Sequence, residues 1–274
     1  MMSLTPLSTL LANRTRIDAR VQFTITDDWQ QGRTSFGGLI ATLAVQAMRD
    51  VAGPAWPEAV RLRALQTSFI GPVESGPVDV AVTLLREGKS VRQVQALVQQ
   101  RGQTAALLLG VFGVERDTVV PVLAPQRPPL ALSPDDMPEQ NLRGGGALNF
   151  TRHIDMRFAE GAAPFSGVPS TTSRIHLRLK GEPEPIAPEL LSVLLADVPP
   201  SPVISAFKQP APASSVSWEL ELRPLPQAPA SKGWWRVDTE VLAAAGGYVN
   251  QVTRLWSPSG ELAALGYQVV TVYG

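Results

Sequence analysis

The chain offers few of the side chains that usually carry hydrolytic or metal chemistry. Its two histidines, His153 and His176, stand 23 residues apart with no carboxylate cluster beside either. That spacing suits a metal centre poorly, and a strand histidine is more often structural or exposed. Cysteine is absent, which removes thiolate nucleophiles, disulfides and cysteine-ligated zinc or iron–sulfur sites. No G-x-S-x-G nucleophile elbow occurs, nor a P-loop, nor a G-x-G-x-x-G turn. Any hydrolysis must therefore rest on carboxylates, hydroxyls, amides and backbone N–H groups, and neither metal nor cofactor is expected.

Lysine plus arginine equals aspartate plus glutamate, at 24 each, so no global field draws the chain to nucleic acid or to an anionic membrane. Hydrophobic residues at 44% and charged residues at 18% suit a globular protein with one large core or two modest ones. The apolar run within Met1–Arg14 has no basic region before it and no small-residue cleavage site. No run approaches the roughly 18–20 apolar residues that a membrane span requires. A soluble, cytoplasmic protein is expected.

Whatever chemistry exists must be positioned by two similar sets of elements. Residues 117–148 hold six prolines and the triple glycine Gly144–Gly146, composition that predicts a surface linker. It divides the chain into residues 1–116 and 149–274. In the first part an alternating strand at Val21–Thr26 precedes Phe36–Gly53, a helix apolar on nearly every face and so expected to be wrapped by other structure. Four strands follow at Leu62–Phe69, Val78–Arg86, Ser90–Gln100 and Thr104–Val114, with glycine in the turns. The second part repeats the order: strands near Arg152–Phe158 and Thr172–Leu179, a helix at Pro188–Asp197, then strands around Ser214–Arg223, Trp234–Val241, Tyr248–Trp256 and Glu261–Tyr273. Gly88 to Gly102 and Gly246 to Gly260 each span 14 residues, and a strand opening on a small-residue pair follows each. Internal duplication is the reading.

One buried helix wrapped by an antiparallel sheet, occurring twice, resembles the double hotdog arrangement, an α+β fold. The run FGGLIATLAVQAM, followed by TSFIGPVESGPVDVAVTLLREGKSVRQVQALVQQRGQTAALLLGVFG, resembles the first half of the acyl-CoA thioesterase II family. The closing SPSGELAALGYQVVTVYG is similar to that family's last strand, with its glutamine. The likeness fades in the linker, and its motifs gain specificity from their order. It implies hydrolysis of acyl-CoA to free acid and CoA by a water that an Asp, a Ser or Thr, and a Gln hold and activate. Carried over by position, these fall on Asp197, Ser214 and Gln268.

Local patterns bear on each assignment. Asp197 closes an apolar helix, where a carboxylate meets the negative end of the macrodipole at a cost of about 0.3–1 kcal/mol. An Asx-type turn into Pro199-Pro200 is the plain alternative. Among Ser214, Ser215 and Ser217, strict alternation places Ser214 on the apolar face with Val216, Trp218, Leu220 and Leu222. Gln268 shares a face with Leu262, Ala264, Val270 and Val272, so its amide is expected to be buried and to need partners. Gly37 and Gly38 open the first helix, where free N–H groups suit a thioester oxygen, or simply permit close helix–sheet packing. Lys89 and Arg92 are candidates for the CoA phosphates, or ordinary residues of a solvated hairpin tip.

Three rival readings stand beside hydrolysis. A hotdog enoyl-CoA hydratase resembles its relatives in an Asp followed five residues later by His, whereas Pro202 holds that position here. A non-catalytic acyl-CoA or lipid-binding protein would keep the scaffold without turnover. A structural subunit would borrow a partner's site. Sheets meeting edge to edge are expected to make a homodimer.

Overall fold

The computed structural model describes residues 4–139, 148–225 and 233–273. The elements run α1 (Leu7–Ala12), β1 (Thr15–Ile17), β2 (Arg20–Ile25), β3 (Gln30–Gln31), β4 (Thr34–Ser35), α2 (Gly37–Ala52), β5 (Arg61–Phe69), β6 (Gly76–Glu87), β7 (Val91–Gln100) and β8 (Gln103–Gly113). After the proline-rich segment come β9 (Ile154–Glu160), β10 (Thr172–Leu179), α3 (Pro188–Ala196), β11 (Ala213–Leu222), β12 (Trp235–Ala245), β13 (Tyr248–Trp256) and β14 (Leu262–Val272). Among the described residues no helix is long and apolar enough to cross a membrane.

Twelve strands form one antiparallel sheet in the order β1-β2-β6-β7-β8-β5-β11-β14-β13-β12-β10-β9, while β3 and β4 pair separately. Read outward from the middle, one side runs β5-β8-β7-β6-β2 and the other β11-β14-β13-β12-β10. The duplicated order in the sequence is thus a duplicated topology, and the copies join where Leu65 pairs with Leu220.

The strands form because alternate side chains are apolar: Val21, Phe23 and Ile25 of β2 are buried while Arg20, Gln22 and Thr24 are exposed. Both helices lie on the concave side. α2 buries ten of its sixteen residues because sheet covers one face and α3 another. This wrapping is why its sequence is apolar all round. Each large buried side chain of this core, such as Leu39, Met48 or Leu194, contributes about 1.5–3 kcal/mol by leaving water.

The two halves are also tied by polar chemistry. His153 ends a short 3-10 turn at Asn149–His153, just ahead of β9 rather than within a strand. Its ring stacks on Trp29 with centroids 3.9 Å apart, and its Nε2 lies 3.0 Å from Asp28 Oδ2. Burial alone would raise the Asp28 carboxyl. Hydrogen bonds from Thr26 and Thr5, together with His153, outweigh that and hold it below its usual range.

The proline-rich segment is more than a connection. Arg236 donates to the Pro128 carbonyl at 2.7 Å, Trp234 donates to Asp135 at 2.9 Å, and Met137 is buried. Its second half therefore lies against β12 on the convex face of the sheet, whereas Val119 and Val122 are exposed. Gly144–Gly146 lie outside the described residues.

Replacing His153 by leucine leaves the buried Asp28 carboxylate without its partner from the other half. Burial lowers the His153 pKa, so the ring is neutral near pH 7 and donates a hydrogen bond to the carboxylate. Stability is expected to fall by about 2 kcal/mol, read as a lower urea midpoint at unchanged slope.

Candidate active site

Asp197 is the C-cap of α3, its backbone at φ −98°, ψ −3°. Taken alone, the end of α3 is an unfavourable place for negative charge. The fold offsets this by aiming the same carboxylate at the start of the other helix, where the Gly38 N–H lies close enough to favour its charged form. The approach is close: a Cβ on Gly37 would sit 2.9 Å from Asp197 Oδ2, and one on Gly38 would sit 2.8 Å from the Leu194 carbonyl. Neither glycine can carry a side chain without moving the carboxylate or α3.

From the sheet side, Gln268 Nε2 donates to Asp197 Oδ1 at 2.9 Å and to Ser215 Oγ at 2.6 Å. Gln251 on the adjacent strand donates to Gln268 Oε1 at 2.7 Å, which turns the Gln268 NH₂ toward the other two groups. Asp197, Gln268 and Ser215 thus converge from α3, β14 and β11. Asp197 keeps slight solvent contact as a residue, but its carboxyl is packed about by protein as densely as an interior group. Burial pushes it up to about 7, against the opposing hydrogen bonds from Gln268 and Gly38. A carboxyl poised at neutrality, beside an amide and a hydroxyl, can hold a water and take its proton.

Asp197 and Gln268 stand where the sequence places them, but Ser214 does not. Ser214 is exposed, and its Oγ meets only the Ser215 carbonyl at 3.4 Å. The cause is a β-bulge: Ser215 pairs with Val270 but Ser217 with Val269, so one extra residue reverses the alternation. Ser215, three residues from Trp218, therefore shares its inward face. The sister strand carries the same bulge, with Leu62 opposite Phe112 and Ala64 opposite Val111. There Leu62 and Leu65 are both buried at a spacing of three. Aligning β5 with β11 would have revealed which serine faces inward toward Gln268. Gln251 was also missed, although a polar residue sharing the buried face of β13 with Val249 and Leu255 was a legible signal.

Lys89 and Arg92 are not brought to this place. Gly37 lies against Phe69, which pairs with Ala106, whereas Arg92 pairs with Phe112. Six residues of β8 separate those positions, about 20 Å along the strand. Arg92 is instead buried, its Nε 3.2 Å from Glu87 and its guanidinium over Trp56. Lys89 lies in the turn beyond it. The Gly38 N–H, expected to face a thioester oxygen, lies beside the Asp197 carboxylate.

The pseudo-equivalent position in the first half cannot do the same chemistry. Gly110 stands where Gln268 stands, Leu62 where Ser215 does, and Val94 where Gln251 does. Met48 fills the space beside Gly110, its sulfur 2.7 Å from where a Cβ would be. At that end the start of α3 is closed by an Arg49–Glu189 ion pair at 2.6 Å. Among the described residues, duplication has left a single polar cluster of this kind.

Ser215→Ala is expected to lower turnover by roughly 10- to 100-fold, and Ser214→Ala to leave it within about twofold. A second expectation concerns stability. The folded chain holds the Asp197 proton more tightly than the unfolded chain does, so this contribution is complete below about pH 4 and is lost as pH rises through about 7. Asp197→Asn should therefore be more stable than the parent at pH 8, by on the order of 2 kcal/mol, and equal to it near pH 4. Urea melts at the two pH values test the sign.

Comparison with known proteins bears on the fold and the family. The acyl-CoA thioesterase N-terminal domain profile matches residues 25–113, and the acyl-CoA thioesterase C-terminal domain profile matches residues 129–272. No curated protein matches the sequence. Among solved structures, a protein of unknown function with a hot dog fold from Alicyclobacillus acidocaldarius superposes with a TM-score of 0.83 at 19% identity, covering 99% of each chain. A candidate thioesterase II from Thermobifida fusca superposes at 0.81 and 18% identity over 100% of each chain. The acyl-CoA thioesterase II TesB2 of Mycobacterium marinum gives 0.70 at 18% identity over 96% of each. These likenesses establish the double hotdog fold, and the matched profiles show that the chain belongs to the acyl-CoA thioesterase II family.

Proposed function

We propose that the protein hydrolyses acyl-CoA thioesters with a water activated by Asp197. The supporting observation is a carboxyl raised to about 7 within hydrogen-bond reach of a side-chain amide that also touches a serine hydroxyl. The oxygen of a water attacks the thioester carbonyl carbon while Asp197 accepts its proton. Gln268 fixes the carboxylate, and Ser215 supplies the hydroxyl that orients the water. Collapse of the tetrahedral adduct breaks the carbon–sulfur bond and releases the CoA thiolate. A thiol of ordinary pKa, about 8.5, leaves readily, and the proton on Asp197 returns to it or to solvent. Positive partial charge at the start of α2 stabilises the oxyanion of the adduct through N–H groups other than that of Gly38.

The test is release of free CoA across short, medium, long and aryl acyl-CoAs. Wild type should turn over at least one class, with kcat/KM rising with pH through about 7 as the base loses its proton. Asp197→Asn should lose roughly 100-fold or more and retain its fold. Activity surviving in Asp197→Asn would remove the base from its role. Acyl-CoA binding without release by wild type would select the non-catalytic reading.

A further inference from the structure

A second cluster of buried polar groups lies on the opposite face of the sheet. His176 of β10 pairs with Arg236 of β12, and Arg236 with Trp256 of β13. Their neighbours Ile175, Leu177, Trp235 and Val237 fill the core, so His176 and Arg236 point outward. On a bare sheet they would meet water, yet they are only 5% and 1% exposed. The proline-rich segment covers them and leaves a cavity of about 320 Å³, lined by Arg127, Pro128, Leu130, Leu132, His176 and Arg236. We propose that this cavity is a ligand site separate from the Asp197 cluster, taking a small organic carboxylate with a short apolar body.

Charge and hydrogen bonding both point to an anion. Arg236 donates to Pro128 O and is paired with Asp238, whose Oδ2 also accepts from Trp256. Its Oδ1 lies 2.7 Å from Arg236 Nε, so both oxygens of that carboxylate face the same guanidinium. Arg127 makes one hydrogen bond among the described residues, to the Ser257 carbonyl at 3.3 Å, and is near enough to Asp238 to feel its charge. Among the described residues the cavity walls therefore present two guanidinium groups against one neighbouring carboxylate. His176 adds to the demand, since neither ring nitrogen meets a partner at hydrogen-bond geometry. The Trp235 carbonyl lies close enough to favour its protonated form, but burial, Arg236 and Arg127 together push the imidazole down to about 4. At neutral pH it is an uncharged ring with one N–H to donate.

A carboxylate between Arg127 and His176 would satisfy that donor and neutralise the surplus charge. Apart from Ser133, the rest of the wall is prolines, Ala131, Leu130 and Leu132, whose side chains offer an alkyl body contact but give the third and fourth oxygens of phosphate few donors. Since a water claims about 30 Å³ of liquid, the volume admits a head group and several carbons. The exposed Leu132 and Ser133 place one side of the cavity at the surface.

Calorimetric titration of the full chain with sodium butyrate, inorganic phosphate and neutral butyramide tests the assignment. Butyrate should saturate, phosphate should bind at least tenfold more weakly, and butyramide should give no saturable heat. The butyrate affinity should survive Asp197→Asn and fall at least tenfold in both Arg127→Ala and His176→Phe. In the unaltered chain, saturating butyrate should raise the His176 titration midpoint followed by NMR, a readout that needs no variant to fold. The proposal is overturned by absence of saturable butyrate binding, by a preference for phosphate, or by an unmoved His176 midpoint. It is equally overturned if binding disappears in Asp197→Asn but persists in Arg127→Ala, because the ligand then occupies the catalytic cluster.

Discussion

The start of one helix touches the end of another, and a carboxylate is caught between them. That contact is possible only because Gly37 and Gly38 lack side chains, with Leu194 O and Asp197 Oδ2 inside 3 Å of where their Cβ atoms would be. Two opposed electrostatic effects meet there. The end of α3 and the surrounding protein disfavour charge on Asp197, whereas the Gly38 N–H and the Gln268 amide favour it. Burial is the larger effect, and it leaves the group near neutrality instead of near 4. A solvent-exposed carboxylate would be a weak base at this pH, and one buried without those hydrogen bonds would ionise only at higher pH.

The duplicated scaffold explains how such a costly arrangement is tolerated. Both copies supply a helix, a five-strand meander and even the same bulge, but they divide the work. In the first copy the equivalent positions hold Gly110, Leu62 and Val94, packed by Met48, and the far helix contact is closed by Arg49 and Glu189. That end contributes packing and ion pairing, while the other keeps a buried ionisable group that stability alone would not select. The site is therefore composite: the first copy supplies the helix start, and the second supplies Asp197, Ser215 and Gln268.

Periodicity in the sequence was enough to locate both buried helices and all eight long strands after them, because each strand alternates and each turn carries glycine or proline. The family resemblance pointed to Asp197 and Gln268, and local pattern agreed with it: a carboxylate in the wrong place for a helix end, and a polar residue on an apolar face. Ser215 was not legible, because alternation presumes an unbroken ladder and the bulge at Val216 inserts one residue. The comparison that would have corrected it, Leu62 with Leu65 in the sister strand, requires aligning the halves. Lys89 and Arg92 lie away from the Asp197 cluster, and nothing local to a hairpin tells which end of a long sheet that cluster occupies. The proline-rich stretch was read as connection, and its role as a cover over His176 and Arg236 depends on long-range packing that composition does not encode.

All of this reduces to the ionisation of one side chain. Infrared difference spectra between wild type and Asp197→Asn, recorded across pH 3 to 9, isolate the carboxyl band of Asp197. The account predicts that its protonated C=O stretch persists through pH 5 and gives way to carboxylate around pH 7. Loss of that band near pH 4, as for an exposed aspartate, would contradict it.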